Sequence, residues 1–389
     1  MEQSKALGYM HELLRKLLAQ RGSDLFITVG APPAVKLEGH LRPLTDKALS
    51  DVQVQALVRS VMNDHQLAEF DRTNEANFAI NLAGLARFRA SAFVQQGSPA
   101  IVVRAINMQI PSFDDLRLPE TLRDISQTRR GLVIVVGGTG SGKSTTLAAM
   151  IGYRNANSED HIVTIEDPIE FVHRHGRSIV NQREIGVDTE SYGVALRNTL
   201  RQAPDVILIG EIRDRETMEY GIAFAETGHL CLSTLHANNT NQALDRIINF
   251  FPEERRQQLL MDLSLNLKAV VSQRLIPDLT GQGRVPATEV LINTPLMADL
   301  IFKGRVREMK GLIAKSRESG MHTFDQALFD LHEGGFISYE DALRNADSVN
   351  DLRLRMKLEG SRGPRRRLMD EAEELSVEDE TRDQGNPFG

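Results

Sequence analysis

The chain has 389 residues, 41% apolar and 25% charged, with a formal net charge of −7 and a single cysteine, Cys231. Such values belong to a folded protein of two or three domains at roughly 150 residues each, and they exclude a mainly disordered, collagen-like or coiled-coil chain. A lone thiol rules out an intramolecular disulfide and a four-thiolate zinc site, and the acidic balance disfavours a protein built to grip nucleic-acid backbone. Leu7, Met10, Leu14, Leu17 and Leu18 recur at helical spacing, which predicts an amphipathic first helix packed on its own domain. The same segment, MEQSKALGYMHELLRKLLAQ, lacks the apolar stretch and small-residue cleavage site of a signal peptide.

After Gly22, short β-rich segments at Asp24 to Val29, Ala34 to Leu37 and Leu41 to Leu44 predict a small antiparallel sheet, followed by a helix over Val52 to Met62. Phe78 to Leu82, Ala86 to Val94 and Ile101 to Ile106 continue the strand pattern, with turns at Ala83-Gly84 and Gln96-Gly97-Ser98-Pro99. Residues 1–106 therefore read as an N-terminal α+β domain, and 107–119, NMQIPSFDDLRLP, as a linker.

From Glu120 strands and helices alternate. Strands are expected at Leu132 to Val136, His161 to Glu166, Val206 to Ile209 and Leu230 to Leu235. Helices are expected from the glycine loop to about Arg154, over Tyr192 to Gln202 and over Arg215 to Glu226. This order predicts an α/β domain over 120–292 with a parallel, doubly wound sheet. Beyond Phe251-Pro252 the pattern turns mostly helical, with Leu300 to Ala314, Phe324 to Leu331 and Tyr339 to Asn345 as candidates in a helical region 293–359. The last segment, 360–389, joins the basic Arg365 to Arg367 to an acidic run from Asp370 to Asp383 and is expected to be a disordered tail. The strongest apolar runs are far below the roughly 20 residues of a spanning helix, so no transmembrane segment is expected.

Chemistry enters with Gly137-Gly138-Thr139-Gly140-Ser141-Gly142-Lys143-Ser144, a G-x-x-x-x-G-K-[ST] motif between an apolar strand and a helical pattern. Its glycines let backbone N–H groups curl around phosphate oxygens, and the helix presents its N-terminal amides to the same anion. Lys143 is expected at the β- and γ-phosphates and Ser144 on Mg²⁺, with Thr145 a further phosphate contact. The motif implies nucleotide binding; hydrolysis needs carboxylates as well. Glu166 and Asp167 end one predicted strand, and Glu211 follows another in DVILIGEIRD. Carboxyl ends of neighbouring parallel strands converge on a bound nucleotide, which singles out Glu166 and Glu211. Asp205 precedes its strand, so Glu211 stands where an aspartate is usual. His229 and His236 flank the strand Leu230 to Leu235; their spacing does not suit a metal pair, but an imidazole can report a phosphate state. Cys231 reads as a small core residue.

Four ordered boxes, GGTGSGKSTTLAAMI, TIEDPIEFVH, DVILIGEIRD and AETGHLCLSTLHA, together with SDLFITVGAPPAVKLEGHLRPL near the start, resemble the PilT/PilU-type retraction ATPases of type IV pili, in the secretion ATPase superfamily. The resemblance runs from about residue 4 to 345. It implies a PAS-like N-terminal domain and a RecA-like P-loop ATPase domain in a cytoplasmic homo-hexamer, peripheral to the inner membrane at the pilus base. The implied cofactors are ATP and Mg²⁺, and the implied partners are an inner-membrane platform protein and a PilT-like ATPase. By motif match Glu166 is the catalytic base, Glu211 the acid that positions water and holds Mg²⁺ through it, and His229 and His236 couple nucleotide state to movement. Arg89 and Arg104 match positions that approach the phosphates on domain closure; without the resemblance they read as exposed strand charges, and Arg197 and Arg201 are weaker contacts. Retraction motors of the PilT kind carry AIR-x-L-IR near the C-terminus, whereas this chain has LMADLIFK, with Ala298 and Phe302 at the arginine positions. That departure favours the PilU-like side of the branch and an accessory motor. A ring or adaptor subunit that leaves force to another ATPase, and a nucleic-acid translocase, are the competing readings.

Overall fold

The structure is a computed structural model that describes residues 3–37, 39–82, 85–106 and 109–362. The chain opens with α1 (Gln3–Ala19), β1 (Asp24–Ile27), β2 (Ala34–Leu37), β3 (His40–Pro43), α2 (Asp51–Ser60), α3 (Asp64–Thr73), β4 (Glu75–Leu82), β5 (Ala86–Gln95) and β6 (Ser98–Ala105). Two short helices, α4 (Phe113–Leu116) and α5 (Thr121–Ser126), precede β7 (Gly131–Val136), α6 (Lys143–Asn157), β8 (His161–Glu166), β9 (Ile179–Glu184), α7 (Tyr192–Thr199), β10 (Val206–Ile209), α8 (Arg215–Glu226) and β11 (Leu230–Leu235). Then come α9 (Thr240–Asn249), α10 (Glu253–Asn266), β12 (Leu267–Pro277), β13 (Arg284–Ile292), α11 (Pro295–Phe302), α12 (Val306–Lys315), α13 (Phe324–Glu333), α14 (Tyr339–Asn345) and α15 (Val349–Glu359). The fold is mixed α/β with two sheets, one of six strands and one of seven.

Contacts divide the chain into two compact units, Met1–Pro111 with Ile151–Glu211 and Ser112–Met150 with Ile212–Gly389. In the first, the six-stranded sheet has the order β3-β2-β1-β6-β5-β4 with antiparallel neighbours. Strict alternation along β5 puts Phe88 and Ala90 in the core and leaves Arg87 and Arg89 on the other face. Met10, Leu13, Leu14 and Leu17 of α1 join Leu57 of α2 and Phe78, Phe88 and Ile101 of the sheet in one buried cluster. Each such side chain contributes about 1.5–3 kcal/mol through burial, so the apolar stripe of α1 is consumed by its own unit. The first unit also holds the parallel strands β10-β8-β9 of the larger sheet.

The second unit holds β13-β12-β7-β11. All residues of β7 and β11 are buried, as strands covered on both faces must be, and they pair in parallel from Leu230↔Gly131 to Leu235↔Val136.

The sheet is not wholly parallel: β12 and β13 lie antiparallel, in a stretch that reads as mostly helical in sequence. Ser272, Gln273 and Arg274 interrupt the apolar run of β12, and Ser272 and Gln273 are buried all the same because their polar groups find partners inside the unit. The expected helix over Leu300 to Ala314 is two, α11 and α12, broken at Gly304 with φ 66°. The 107–119 segment carries α4, opened by a Ser112–Asp115 capping box. The turn before β6 is only Gln96-Gly97, at φ 50° and 78°, because Ser98 already pairs with Gln95. Helices α3, α5 and α9 and strand β9 were not expected. The predicted turn at Ala83-Gly84 and the tail beyond 362 lie outside the described residues.

Candidate active site

In the second unit β7 feeds the glycine loop, and α6 starts at Lys143. The helix therefore aims its first free amides at the loop, an arrangement that attracts anions. Two glycines are required by space. A Cβ on Gly137 would run into Ser141 Oγ and lie 2.6 Å from the Gln273 carbonyl oxygen, while Gly142 has φ +85° and a Cβ there would meet Gln273 Nε2 at 2.7 Å. Lys143 Nζ donates to the carbonyl oxygens of Gly137 and Gly138 at 3.1 and 2.9 Å, which holds the ammonium over the loop.

Gln273 of β12 locks this loop from below. Its Nε2 donates to the Ser141 carbonyl oxygen at 2.8 Å, and its Oε1 accepts from Thr146 Oγ1 at 2.7 Å. Nothing in the sequence pattern marks this glutamine, because its role depends on β12 lying beside β7, with Ser272 opposite Val136.

A cavity of about 670 Å³ opens beside the loop. Gly137, Gly138 and Thr139 line it with His236, and the far wall is Gln242, Asp245 and Arg246 of α9. His236 follows the last residue of β11, next to the strand end that leads into Gly137. His229 precedes the first residue of the same strand, so about 20 Å of extended chain separates the two imidazoles. The structure therefore brings His236 to the P-loop and leaves His229 at the opposite end of β11, where its Nδ1 lies 3.0 Å from Thr227 Oγ1 and 3.2 Å from the Phe224 carbonyl oxygen. Cys231 is fully buried between them and burial pushes its thiol far up, which suits a core residue.

The carboxylates belong to the first unit. Glu166 ends β8, and Gly210 and Glu211 follow β10, which pairs with β8 in parallel as far as Ile209↔Ile165. Gly210 N donates to the Ile165 carbonyl oxygen at 2.8 Å. A Cβ at Gly210 would lie 2.9 Å from Tyr192 Oη and 3.1 Å from Glu166 Cα, so only glycine lets the two strand ends close side by side. Asp205 sits at the other end of β10 and accepts from His161 N at 2.8 Å, a structural tie.

Glu166 Oε1 accepts from Thr164 Oγ1 at 2.6 Å and from Gln182 Nε2 at 3.0 Å. Burial raises its pKa to about 6; the two hydrogen bonds oppose that rise, and Glu170 and Glu184 add to it. A carboxylate tuned toward neutrality can take a proton from water and still be ionised at pH 7. Gln182 comes from β9, which the sequence pattern did not reveal. Because its donated bond favours the charged carboxylate, Gln182→Leu is expected to raise the pKa of Glu166 and move the acid limb of kcat/KM to higher pH. A limb that stays in place or moves down in a pH–rate series would refute this.

Arg89 and Arg104 are cross-strand partners on β5 and β6, so they share the face opposite the core. Arg104 Nε donates to Asp24 Oδ1 at 2.7 Å. Arg87, on that face as well, lies 3.8 Å from Glu184 Oε2 and 3.7 Å from Asp188 Oδ2. Arg197 lies on α7 and Arg201 on the 3₁₀ turn after it, both exposed.

Among the described residues no group of three or more His, Cys, Asp or Glu side chains is arranged to hold a metal ion. Within the second unit the Ser144 hydroxyl, in the first turn of α6 beside the loop, is a hard oxygen donor of the kind Mg²⁺ takes when most of its other ligands are water and phosphate. No helix among the described residues is long and apolar enough to cross a membrane.

A family model described as Type II/IV secretion system protein matches residues 3–322. The chain is 57% identical over 367 residues to the type IV pilus ATPase PilU of Pseudomonas aeruginosa, across 94% of this chain and 96% of that protein. It is 42% identical over 335 residues to the PilT retraction ATPase of the same organism, across 86% of this chain and 97% of that protein. The crystal structure of the pilus retraction motor PilT with bound ADP matches with a TM-score of 0.81 at 39% identity, covering 87% of this chain and 97% of that one. The Legionella pneumophila ATPase DotB matches with a TM-score of 0.75 at 25% identity, covering 86% and 94%.

Proposed function

We propose a function that starts from one premise: the chain belongs to the Type II/IV secretion system protein family, and it is an ATPase. In our reading it is a type IV pilus motor that uses hydrolysis to support pilus retraction and twitching motility. The observation that carries this is Glu166, a carboxylate raised to about 6 and held by Thr164 and Gln182 at a strand end, in a chain that also folds a P-loop under Lys143.

In the proposed mechanism the loop amides and Lys143 hold the phosphates, and Glu166 orients and deprotonates the attacking water. Glu211 would help position water and would hold Mg²⁺ through a water ligand, and Ser144 would hold the metal directly. The metal, when bound, supplies charge neutralisation at the transferred phosphoryl group. His236 faces the P-loop cavity and is the better placed of the two histidines to read nucleotide state, whereas His229 would have to act elsewhere. Arg89 and Arg104 would stabilise developing charge on the phosphoryl group when an N-terminal domain, 1–106, closes on an ATPase domain, 120–292.

We further propose a homo-hexamer at the cytoplasmic face of the inner membrane, under a platform protein and beside a PilT-like ATPase. α11 supports the accessory role: it presents Phe302, 49% exposed, and Ala298 where PilT-type motors carry arginines. The test is turnover and sizing of the purified chain, alone and with a PilT-like ATPase, with Mg²⁺ and after EDTA. The expected result is a hexamer-sized particle whose ATP turnover falls to background in EDTA. Turnover that survives EDTA would sink the metal assignment, and an inactive monomer that gains turnover only in the mixture would favour the adaptor reading.

A further inference from the structure

Polar residues on the two faces of β12 do different work. Gln273 faces the P-loop, as described. Its neighbours Ser272 and Arg274 point the other way, toward the segment that leaves β11 through His236: Ser272 Oγ and Arg274 Nη2 both donate to the Asn238 carbonyl oxygen, each at 3.3 Å. Glu289, directly opposite Ser272 in the β12–β13 ladder, accepts from Thr240 N at 2.9 Å and from Thr240 Oγ1 at 2.7 Å. Ser272 is fully buried and Glu289 is 1% exposed, so these bonds are shielded from competing water. One strand pair thus sets both the loop that holds phosphate and the segment that carries His236.

Arg274 reaches further. Its Nη1 donates to the Asn345 carbonyl oxygen at 2.7 Å, and its Nη2 pairs with Asp347 Oδ1 at 2.8 Å. The guanidinium lies over the Phe324 ring, 4.0 Å from the centroid. Asp347 also takes Lys310 Nζ at 2.7 Å, and Asp325 accepts from Asp347 N and Ser348 N at 2.8 and 3.1 Å. These bonds fix the turn between α14 and α15. A planar fork of donors makes such a three-way bridge, which a lysine ammonium at the same position cannot span.

We propose that Arg274 is a positioning residue for ATP hydrolysis: it holds the His236–Asn239 segment against the P-loop and makes that placement depend on the turn between α14 and α15. The proposal rests on the ATPase reading above and adds to it a link from the C-terminal helices to the nucleotide site. Groups that orient catalytic ones from behind are commonly worth about 10–100-fold in activity.

The test measures kcat and KM for ATP in the full chain carrying Arg274→Ala, His236→Ala and both together. Arg274→Ala is expected to lower kcat about 10–100-fold with little change in KM. In the His236→Ala background the same change is expected to cost almost nothing more, because both losses pass through one segment. A purely structural loss would instead multiply. Arg274→Lys keeps a charge beside Asp347, and with it the fold, and is expected to lose kcat in the same direction. Native kcat in either Arg274 variant, or multiplied losses in the double variant, would overturn the proposal. Absence of turnover in the unaltered protein would instead overturn the ATPase reading itself.

Discussion

Glu166→Gln leaves ATP bound and lowers turnover by about 10²–10⁴-fold, the span that a positioned proton acceptor contributes. The amide keeps the shape of the side chain and can still accept from Thr164 Oγ1, 2.6 Å from Glu166 Oε1 in the native site, so the end of β8 stays in place. What it cannot do is take a proton. The pH dependence separates this loss from a packing defect. In the native protein Glu166 must be ionised to act, so the rate rises with pH through about 6, well above the 4.5 of an ordinary glutamate. In the Gln variant the residual rate has no limb there. Equilibrium binding of a fluorescent ATP analogue and a pH–rate series on both proteins decide the matter; native turnover in Glu166→Gln would remove Glu166 from the mechanism.

Lys143→Ala is expected to differ by losing nucleotide affinity as well as turnover. Lys143 Nζ is bonded to the Gly137 and Gly138 carbonyl oxygens, so its charge sits over the loop before any phosphate arrives. A fixed cation of this kind stabilises ground-state phosphate and, more strongly, the charge that develops during transfer. Its removal should therefore cost about 10³-fold in turnover, the upper range for loss of one preorganised donor. Gln273 still ties Ser141 and Thr146 in this variant, so the loop itself should keep its shape and the melting temperature should move little. Hydrolysis at the native rate in Lys143→Ala would show that this loop is not the nucleotide site.

Much of this site is legible before folding is considered. The P-loop follows a fully buried strand, and β8, α8, β10 and β11 fall where the apolar runs and their alternation place them. Gly210 is legible only in part: its neighbour Glu211 can be picked out as a strand-end acid, but the 3.1 Å approach of a would-be Cβ to Glu166 Cα exists only once β8 and β10 lie side by side. Helix α3 is missed because it buries little beyond Phe70, although its Asn63–Gln66 capping box is a readable start. β9 is missed because an edge strand such as IVNQRE, with Ile179 and Asn181 exposed, carries no strong alternation.

The order of chemical parts follows from sequence alone: a phosphate loop, two strand-end carboxylates and a histidine at each end of one strand. Spacing and residue type suffice for these because each depends on a local element and its boundary. Which histidine meets the P-loop, and which residues hold the loop and Glu166 in place, are decided by tertiary structure. His229 and His236 have equal claims in sequence, yet parallel pairing of β11 with β7 sends only His236 to the end that carries the loop. Gln273, Gln182 and Arg274 look like ordinary surface polar residues in sequence. Each becomes a support only because a strand brings it beside groups far away in the chain, where burial leaves every donor and acceptor in need of a partner.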